Sequence, residues 1–513
     1  MLSRLIRSLI VLACATVASN VHAAAALPPA ADAAGEMPAD IDVVVILDDL
    51  ARLRTGAIGP AFEAIAGESL AGSEFARAWT ELAARMGMGE AAMFDALLGR
   101  RIVFVARGMH DGEDGAGIRW AIVSEISAPT ERRLRERLDV APRTIVGGRP
   151  VLSVERGRYE LTTQRRGEVA RVVLAPAGDR GLLDEISGIG RGRAAPQTLR
   201  DAPQFDDLRA LPPGDGLVYV RVPEPIGGWS VASLSHEGRT VRARVHARPG
   251  TDFAHLDAVA PWARSRFDAF ASGALAAVME HRPTIELEGG QAGANIDFLA
   301  MLPNFENEPA ALAALGGRYA MAVTLTEDGA PSVAMAFEVR DRAAFAPIGD
   351  RVIDAALGGM GVAGQDFQGL APDAVRVVGL SGADPEAMAA AGPLALLDLR
   401  ERSIRWAFPR MTPENAGPDP AWWVIGGDAA SYEKAAAAML GPDADDEPRR
   451  WLSLGAAQPV SIVEYLTGLG LPLPGPLRAA RHIERVDWGT ELVDDRTHNS
   501  DIVITLRAPA GGS

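Results

Sequence analysis

The order of elements in this chain runs twice, and a fold built two times from one plan narrows the available architectures more than any single motif does. "ADIDVVVIL" at 39–47 is an apolar, strand-like run, and "ANIDFLAML" at 294–302 matches it at Ala, Ile, Asp and Leu. After the first comes "LLGRRIVFVARG" (97–108), then "IRWAIVSEIS" (118–127), then the helix-like "TERRLRERL" (130–138). After the second comes "LGGRYAMAVTL" (315–325), then "VAMAFEVRD" (333–341), then "AFAPIGDRVIDAAL" (344–357). Asp114-Gly115 and Asp328-Gly329 sit between the paired strands, where a tight antiparallel hairpin prefers Asp-Gly because glycine accepts positive φ. The parallel continues through "YELTTQRRGEVARVVLAPAGD" (159–179) and its counterpart within 403–428, through "GLVYVRV" (216–222) and "PVSIVEYL" (459–466), and through the hairpins 228–250 and 487–511.

This order predicts an α+β fold of two tandem repeats, each a mainly antiparallel sheet packed with helices. The first repeat spans 39–249 and the second 294–509, with a helical connector over 250–293 carrying "FAHLDAVAPWARSRFDAFASGALAAVMEH". The repeats are unequal. The first holds a helical insertion at 56–95, in which "GPAFEAIAG" and "FARAWTELAARMG" have the apolar spacing of two amphipathic helices. Its Phe62, Phe75, Trp79, Met86, Met88, Met93 and Phe94 are expected to face inward as core.

The N-terminus reads as an export signal. Arg4 and Arg7 form a basic region, Leu9 to Ala18 an apolar core, and Val21-His22-Ala23 a small-residue cleavage site, so residues 1–23 are a signal peptide and 24–38 an Ala/Pro-rich leader. "VLAC" ending at Cys14 resembles a lipobox. Lipoprotein anchoring through Cys14 is the lesser reading, because Arg7 leaves only Ser8 to Ala13 as apolar core, and a core of roughly 7 to 15 residues is usual. No later run is long and apolar enough to span a bilayer, which takes about 20 residues, so no transmembrane segment is expected after signal cleavage. The expected location is periplasmic or extracellular. Cys14 is the only cysteine, and if it leaves with the signal, disulfides, thiolate metal sites and cysteine nucleophiles leave with it.

The formal charge is −16, and loss of Arg4 and Arg7 with the signal leaves −18. A chain this acidic repels polyanions, so nucleic acid is not an expected partner.

Three motifs invite a chemical reading. Ser431 and Lys434, the latter the only lysine, spell S-x-x-K, the nucleophile motif of penicillin-recognising enzymes. Its companion K-T-G needs a second lysine. The duplication also places Asp428 where the first repeat has Asp179, each as the N-cap of a helix that follows a strand, so the stretch reads as a helix start. Gly359, Gly361 and Gly364 spell G-x-G-x-x-G, but a helix precedes them where the dinucleotide fingerprint needs a strand. "HDGEDGAG" (110–117) holds His110, Asp111, Glu113 and Asp114 without calcium-loop spacing, and "GPDADDEP" (441–448) is an acidic loop after a helix. Asp42 and Asp297 are matching acids on the first strand of each repeat; on half-buried strands such acids are expected to face water. No catalytic, cofactor-binding or metal-ligating residue is therefore assigned, and no cofactor is expected.

The order of "PADIDVVVILDDLARL", "LLGRRIVFVARG" and "DAPQFDDLRALPPGDGLVYVRV" resembles a family of exported bacterial proteins classed as a domain of unknown function. That resemblance implies export and supplies no catalytic residue. The leading expectation is an exported, non-catalytic envelope or periplasmic protein with a binding or structural role, its partner a protein or a small ligand. The alternative is an extracytoplasmic hydrolase whose site is assembled from residues that no linear motif joins.

Overall fold

The computed structural model describes residues 29–508 apart from 71–73, 109–117, 138–141, 147–148, 155–158, 188–196, 223–226, 251–261, 282–284, 287–291, 294–314, 360–361, 363–370, 372, 381–402, 410–420, 442–450, 471–472 and 495–496. The protein is mixed α+β, and every strand pairing with a defined register among the described residues is antiparallel. It divides into two compact units. One is Met1–Asp252 with Pro459–Val486 and Arg496–Ser513; the other is Phe253–Gln458 with Asp487–Asp495.

The first unit is built on β1 (Val43–Asp48), a run of β-branched and aliphatic residues buried on both faces. On one side β1 pairs with β2 (Arg101–Arg107), and the ladder continues through β3 (Arg119–Ser127), β7 (Val169–Pro176), β6 (Tyr159–Arg166), β5 (Arg149–Val154) and β4 (Pro142–Val146). On the other side it pairs with β8 (Gly216–Arg221), followed by β9 (Gly228–Glu237), β10 (Thr240–Pro249) and β21 (Thr497–Leu506). The β6–β7 turn is Gly167-Glu168, and Gly167 takes φ +64, the conformation its lack of Cβ permits.

Because side chains alternate, the sheet buries two separate sets of residues. Val44, Ile46, Val103, Val105, Leu217 and Val231 point to one face, where they meet α1 (Ala30–Gly35), α7 (Arg180–Ser187) and α8 (Gln204–Ala210). Val43, Val45, Leu47, Phe104 and Leu234 point to the other, under α2 (Leu50–Thr55) and α3 (Gly59–Leu70). On that second face α4 (Glu74–Met86), α5 (Glu90–Leu97) and α6 (Ala128–Arg137) close a further cluster over β3 and β5 to β7. The insertion 56–95 thus forms three helices where its spacing predicts two. Phe62, Met86 and Met93 are buried, Trp79, Met88 and Phe94 are half-buried, and the side chain of Phe75 lies outside the described residues. Part of the predicted leader is also structured: Ala30–Gly35 is helical, and Ala34 and Met37 are core.

In the second unit β11 (Ala274–His281) lies between β14 (Leu315–Leu325) and β19 (Trp451–Ala457). Beyond β14 the ladder runs through β15 (Pro331–Val339), β18 (Ala421–Gly426), β17 (Ser403–Ala407) and β16 (Arg376–Gly379). The strand β20 (Ile483–Asp494) pairs with β19. One face packs on α10 (Arg342–Gly359) through Phe337, Phe345, Ile348 and Trp423. The other packs on α9 (Arg264–Ala271) and α11 (Ala429–Leu440) through Phe267, Phe270, Trp422 and Tyr432.

Two sequence expectations change here. The span 250–293 is not a helical connector, since 274–281 is the strand β11, flanked on both sides. Its alternating small and large apolar residues suit a strand buried on both faces as well as a helix, and length alone does not separate the two. Pro459–Gly468, expected to answer 216–222 as a strand, is the helix α12; proline starts it, and β19 stands next to β11 instead. The expected strand 294–302 and the Asp114-Gly115 turn lie outside the described residues.

Candidate functional site

A cavity of about 580 Å³ opens in the first unit above the ends of four neighbouring strands. Its floor is read from their register: Arg101 on β2 faces Asp48 on β1, and Leu217 on β8 faces Ser233 on β9. All four lie on the face of Ile46 and Val231, by the two-residue alternation. The rest of the wall comes from Pro29 to Ala31 at the start of α1, from Leu208 and Arg209 on α8, and from the loop Leu211 to Gly214. That loop lies against the sheet because Gly214 and Gly216 have no side chain. A Cβ on Gly214 would overlap the Leu234 carbonyl, and one on Gly216 would come within 2.8 Å of the Ile46 carbonyl.

The charged floor is locked. Arg101, 2% exposed, donates from Nε and Nη2 to the two carboxylate oxygens of Asp48, the second bond at 2.9 Å. A two-point pair of this kind fixes both side chains and offsets the desolvation of each. Beside it Asp49 holds φ +51, the left-handed region that favours glycine and that asparagine and aspartate alone visit with any frequency. It leads directly into α2, where Asp49 lies 3.8 Å from Arg52. Ser233 is 6% exposed and it lines the cavity.

Two groups whose protonation is displaced lie near the ends of the same strands, Asp215 just before β8 and His236 on β9. The imidazole of His236 lies 3.5 Å from Asp215 and is fully buried. Burial, and secondarily the positive charge of Arg52, push it down to about 4. Burial pushes the Asp215 carboxyl up, against the pull of Arg52 and of the His236 backbone N–H. His236 and Ser233 are three apart on β9 and so face opposite ways.

The sequence motifs find structural uses. Ser431 sits at the third position of α11 and makes a capping box with Asp428: its N–H donates to the Asp428 carboxylate at 2.8 Å, and its Oγ accepts from the Asp428 N–H at 3.2 Å. Burial raises the Asp428 carboxyl, but the hydroxyls of Ser332 and Ser431 and two backbone N–H groups outweigh it and hold Asp428 below the usual range. Lys434 Nζ donates to the Ser272 carbonyl, so S-x-x-K is a helix start and a surface bond, with no hydrogen bond between its serine and its lysine. Asp179 occupies the corresponding place between β7 and α7, yet its carboxylate accepts from Trp120 N–H at 3.4 Å rather than capping the helix. Gly359 ends α10, while Gly361 and Gly364 lie outside the described residues, as do 110–117, 442–448 and Asp297. Asp42 does not face water: it is 7% exposed and accepts from Gly108 N–H at 2.6 Å. Among the described residues no three His, Cys, Asp or Glu side chains gather as a metal site.

Sequence reasoning passed over Asp48, Arg101 and Ser233. The signal for the first two was present: "ILDDL" ends one apolar strand with acids, and "GRRIVF" begins the next with arginines, which antiparallel pairing brings face to face. Ser233 gave none, because a serine within an alternating strand is ordinary. No family model, no curated protein and no solved structure matches the chain.

Proposed function

We propose that the protein is an exported, non-catalytic binding protein whose first unit holds a small ligand in the cavity over β2, β1, β8 and β9. The observation that carries the reading is the cavity itself, about 580 Å³, floored by the Asp48–Arg101 pair and Ser233 and walled by Leu208, Leu211 and Leu217. The size falls within the roughly 300–1,000 Å³ of small-molecule sites, and the wall is apolar with a few fixed polar groups, as in such sites. Export rests on Arg4, Arg7 and the apolar run to Ala18. A hydrolase would need a base hydrogen-bonded to its nucleophile. Ser233 has none, and His236 lies on the other face.

The same reading includes two tandem repeats, in a corrected register. The strand order β9-β8-β1-β2-β3-β7-β6 of the first unit parallels β20-β19-β11-β14-β15-β18-β17 of the second. β11 then corresponds to β1, in place of 294–302. Asp48 and Arg101 are cross-strand neighbours in the first repeat, whereas the corresponding neighbours on β11 and β14 are His281 and Arg318, and Arg318 pairs instead with Glu338 on β15 at 3.2 Å.

Native mass spectrometry of protein recovered from the envelope fraction tests the binding role, with Ser233→Leu as the control that fills the cavity. A bound small molecule that the variant fails to retain is the expected result. Ligand-free protein in both, or equal retention by both, overturns it.

A further inference from the structure

We infer that the ligand is an amphipathic organic anion, a single carboxylate on an apolar body, an inference that rests on reading the cavity as a ligand site. Five charged side chains line it: Asp48, Asp49, Arg100, Arg101 and Arg209. Asp48 and Arg101 neutralise each other at two points. Asp49 lies beside Arg52. Arg100, half-buried, and Arg209, exposed at the rim, have no acidic partner among the described residues. Other arginines of this unit do meet acids, Arg54 with Asp95, Arg107 with Glu185 and Arg171 with Glu36. In a chain of net charge −16, two guanidiniums left without acids at one cavity, next to the Ser233 hydroxyl, make a local site for negative charge. A cationic ligand would meet more arginine than free carboxylate there.

The remaining wall sets the body of the ligand. Leu208, Leu211 and Leu217, with Pro212 and Pro213, offer apolar surface and no hydrogen-bonding side chain. A polyanion such as a nucleotide would leave its further charges against this surface, at a large desolvation cost. One anionic head group fits the arginines and Ser233, and an alkyl or alicyclic body fits the leucines.

The probes are sodium decanoate, 1-decanol and decyltrimethylammonium, titrated calorimetrically into the full exported protein at low ionic strength and below micelle formation. Decanoate is expected to bind once per chain and at least tenfold tighter than decanol, with decyltrimethylammonium weakest, since hydrogen bonds to a charged group are stronger than those to a neutral one. The double variant Arg100→Gln/Arg209→Gln should weaken decanoate about tenfold or more and leave decanol unchanged, with an unaltered melting curve showing that it folds. Ser233→Leu should remove binding of both. Equal affinity for decanoate and decanol, or no effect of the arginine changes, overturns the anion inference while the cavity remains a binding site. Binding that persists in Ser233→Leu, or no binding by any of the three to a protein that also carries no native ligand, overturns the site itself.

Discussion

At Arg101 a guanidinium is almost fully withdrawn from water and survives as a cation because Asp48 meets it at two points. Removing one member strands the other. Arg101→Ala is therefore expected to lower unfolding free energy by about 3 kcal/mol, the lower end of what breaking a buried pair costs because Asp48 keeps some exposure. Replacing both by apolar residues of like volume should cost much less; urea denaturation of the three proteins checks the ordering. His236 gives a pH signature. Its folded value of about 4 lies below the unfolded value near 6.5, so the unfolded chain binds the proton first as pH falls. The stability it contributes is complete above about 6.5 and is lost progressively between 6.5 and 4. Asp215 works in the opposite sense: its raised value makes the folded state gain on acidification above the ordinary carboxylate range, offsetting part of the loss. The expected outcome is a denaturation midpoint that drops from pH 7 to pH 4.5, and a smaller drop for His236→Asn. An equal drop in both would assign the acid sensitivity elsewhere. Gly455 is constrained by contact alone, since a Cβ there would overlap the Trp488 ring; Gly455→Ala should destabilise the second unit, seen as a lowered melting temperature.

The helices of the insertion show what pattern does and does not reveal. Apolar spacing over 59–87 places helices there, and α3 and α4 form; α5 was not foreseen, because "EAAMFDAL" is two turns long and offers little periodicity. The expectation that these residues are core holds for Phe62, Met86 and Met93. Met93→Ala should cost about 2–5 kcal/mol, the range for emptying a fully buried site, and deletion of 56–95 should unfold the first unit. A deletion protein that keeps its cooperative transition would make the segment an appendage. Hairpins were legible where glycine marks the turn, as at Gly167-Glu168 and at Asp328-Gly329, where Gly329 takes φ +78. β11 and α12 were misread for a shared reason: each is a short apolar stretch of eight to ten residues, for which strand and helix spacing are satisfied alike, and tertiary pairing decides.

For the whole molecule, the sequence made the α+β class and the antiparallel pairing legible, since turn glycines and alternating strands recur along it. The cavity was not legible, because its floor draws on four strands and its wall on α1, α8 and a loop, so that its residues are spread from Pro29 to Ser233. No linear motif can record that. Export makes a separate prediction: intact mass of the secreted form should correspond to a chain starting at Ala24, whereas a diacylglyceryl group on Cys14 would mean membrane tethering. The central claim, that the first unit carries a ligand site, is met most directly by a crystal structure of the protein as recovered from the envelope fraction. The account predicts density for a small molecule within hydrogen-bonding distance of Ser233 Oγ, with its apolar part along Leu208, Leu211 and Leu217. A cavity that has collapsed, or that is filled by residues of the chain preceding Pro29, would contradict it.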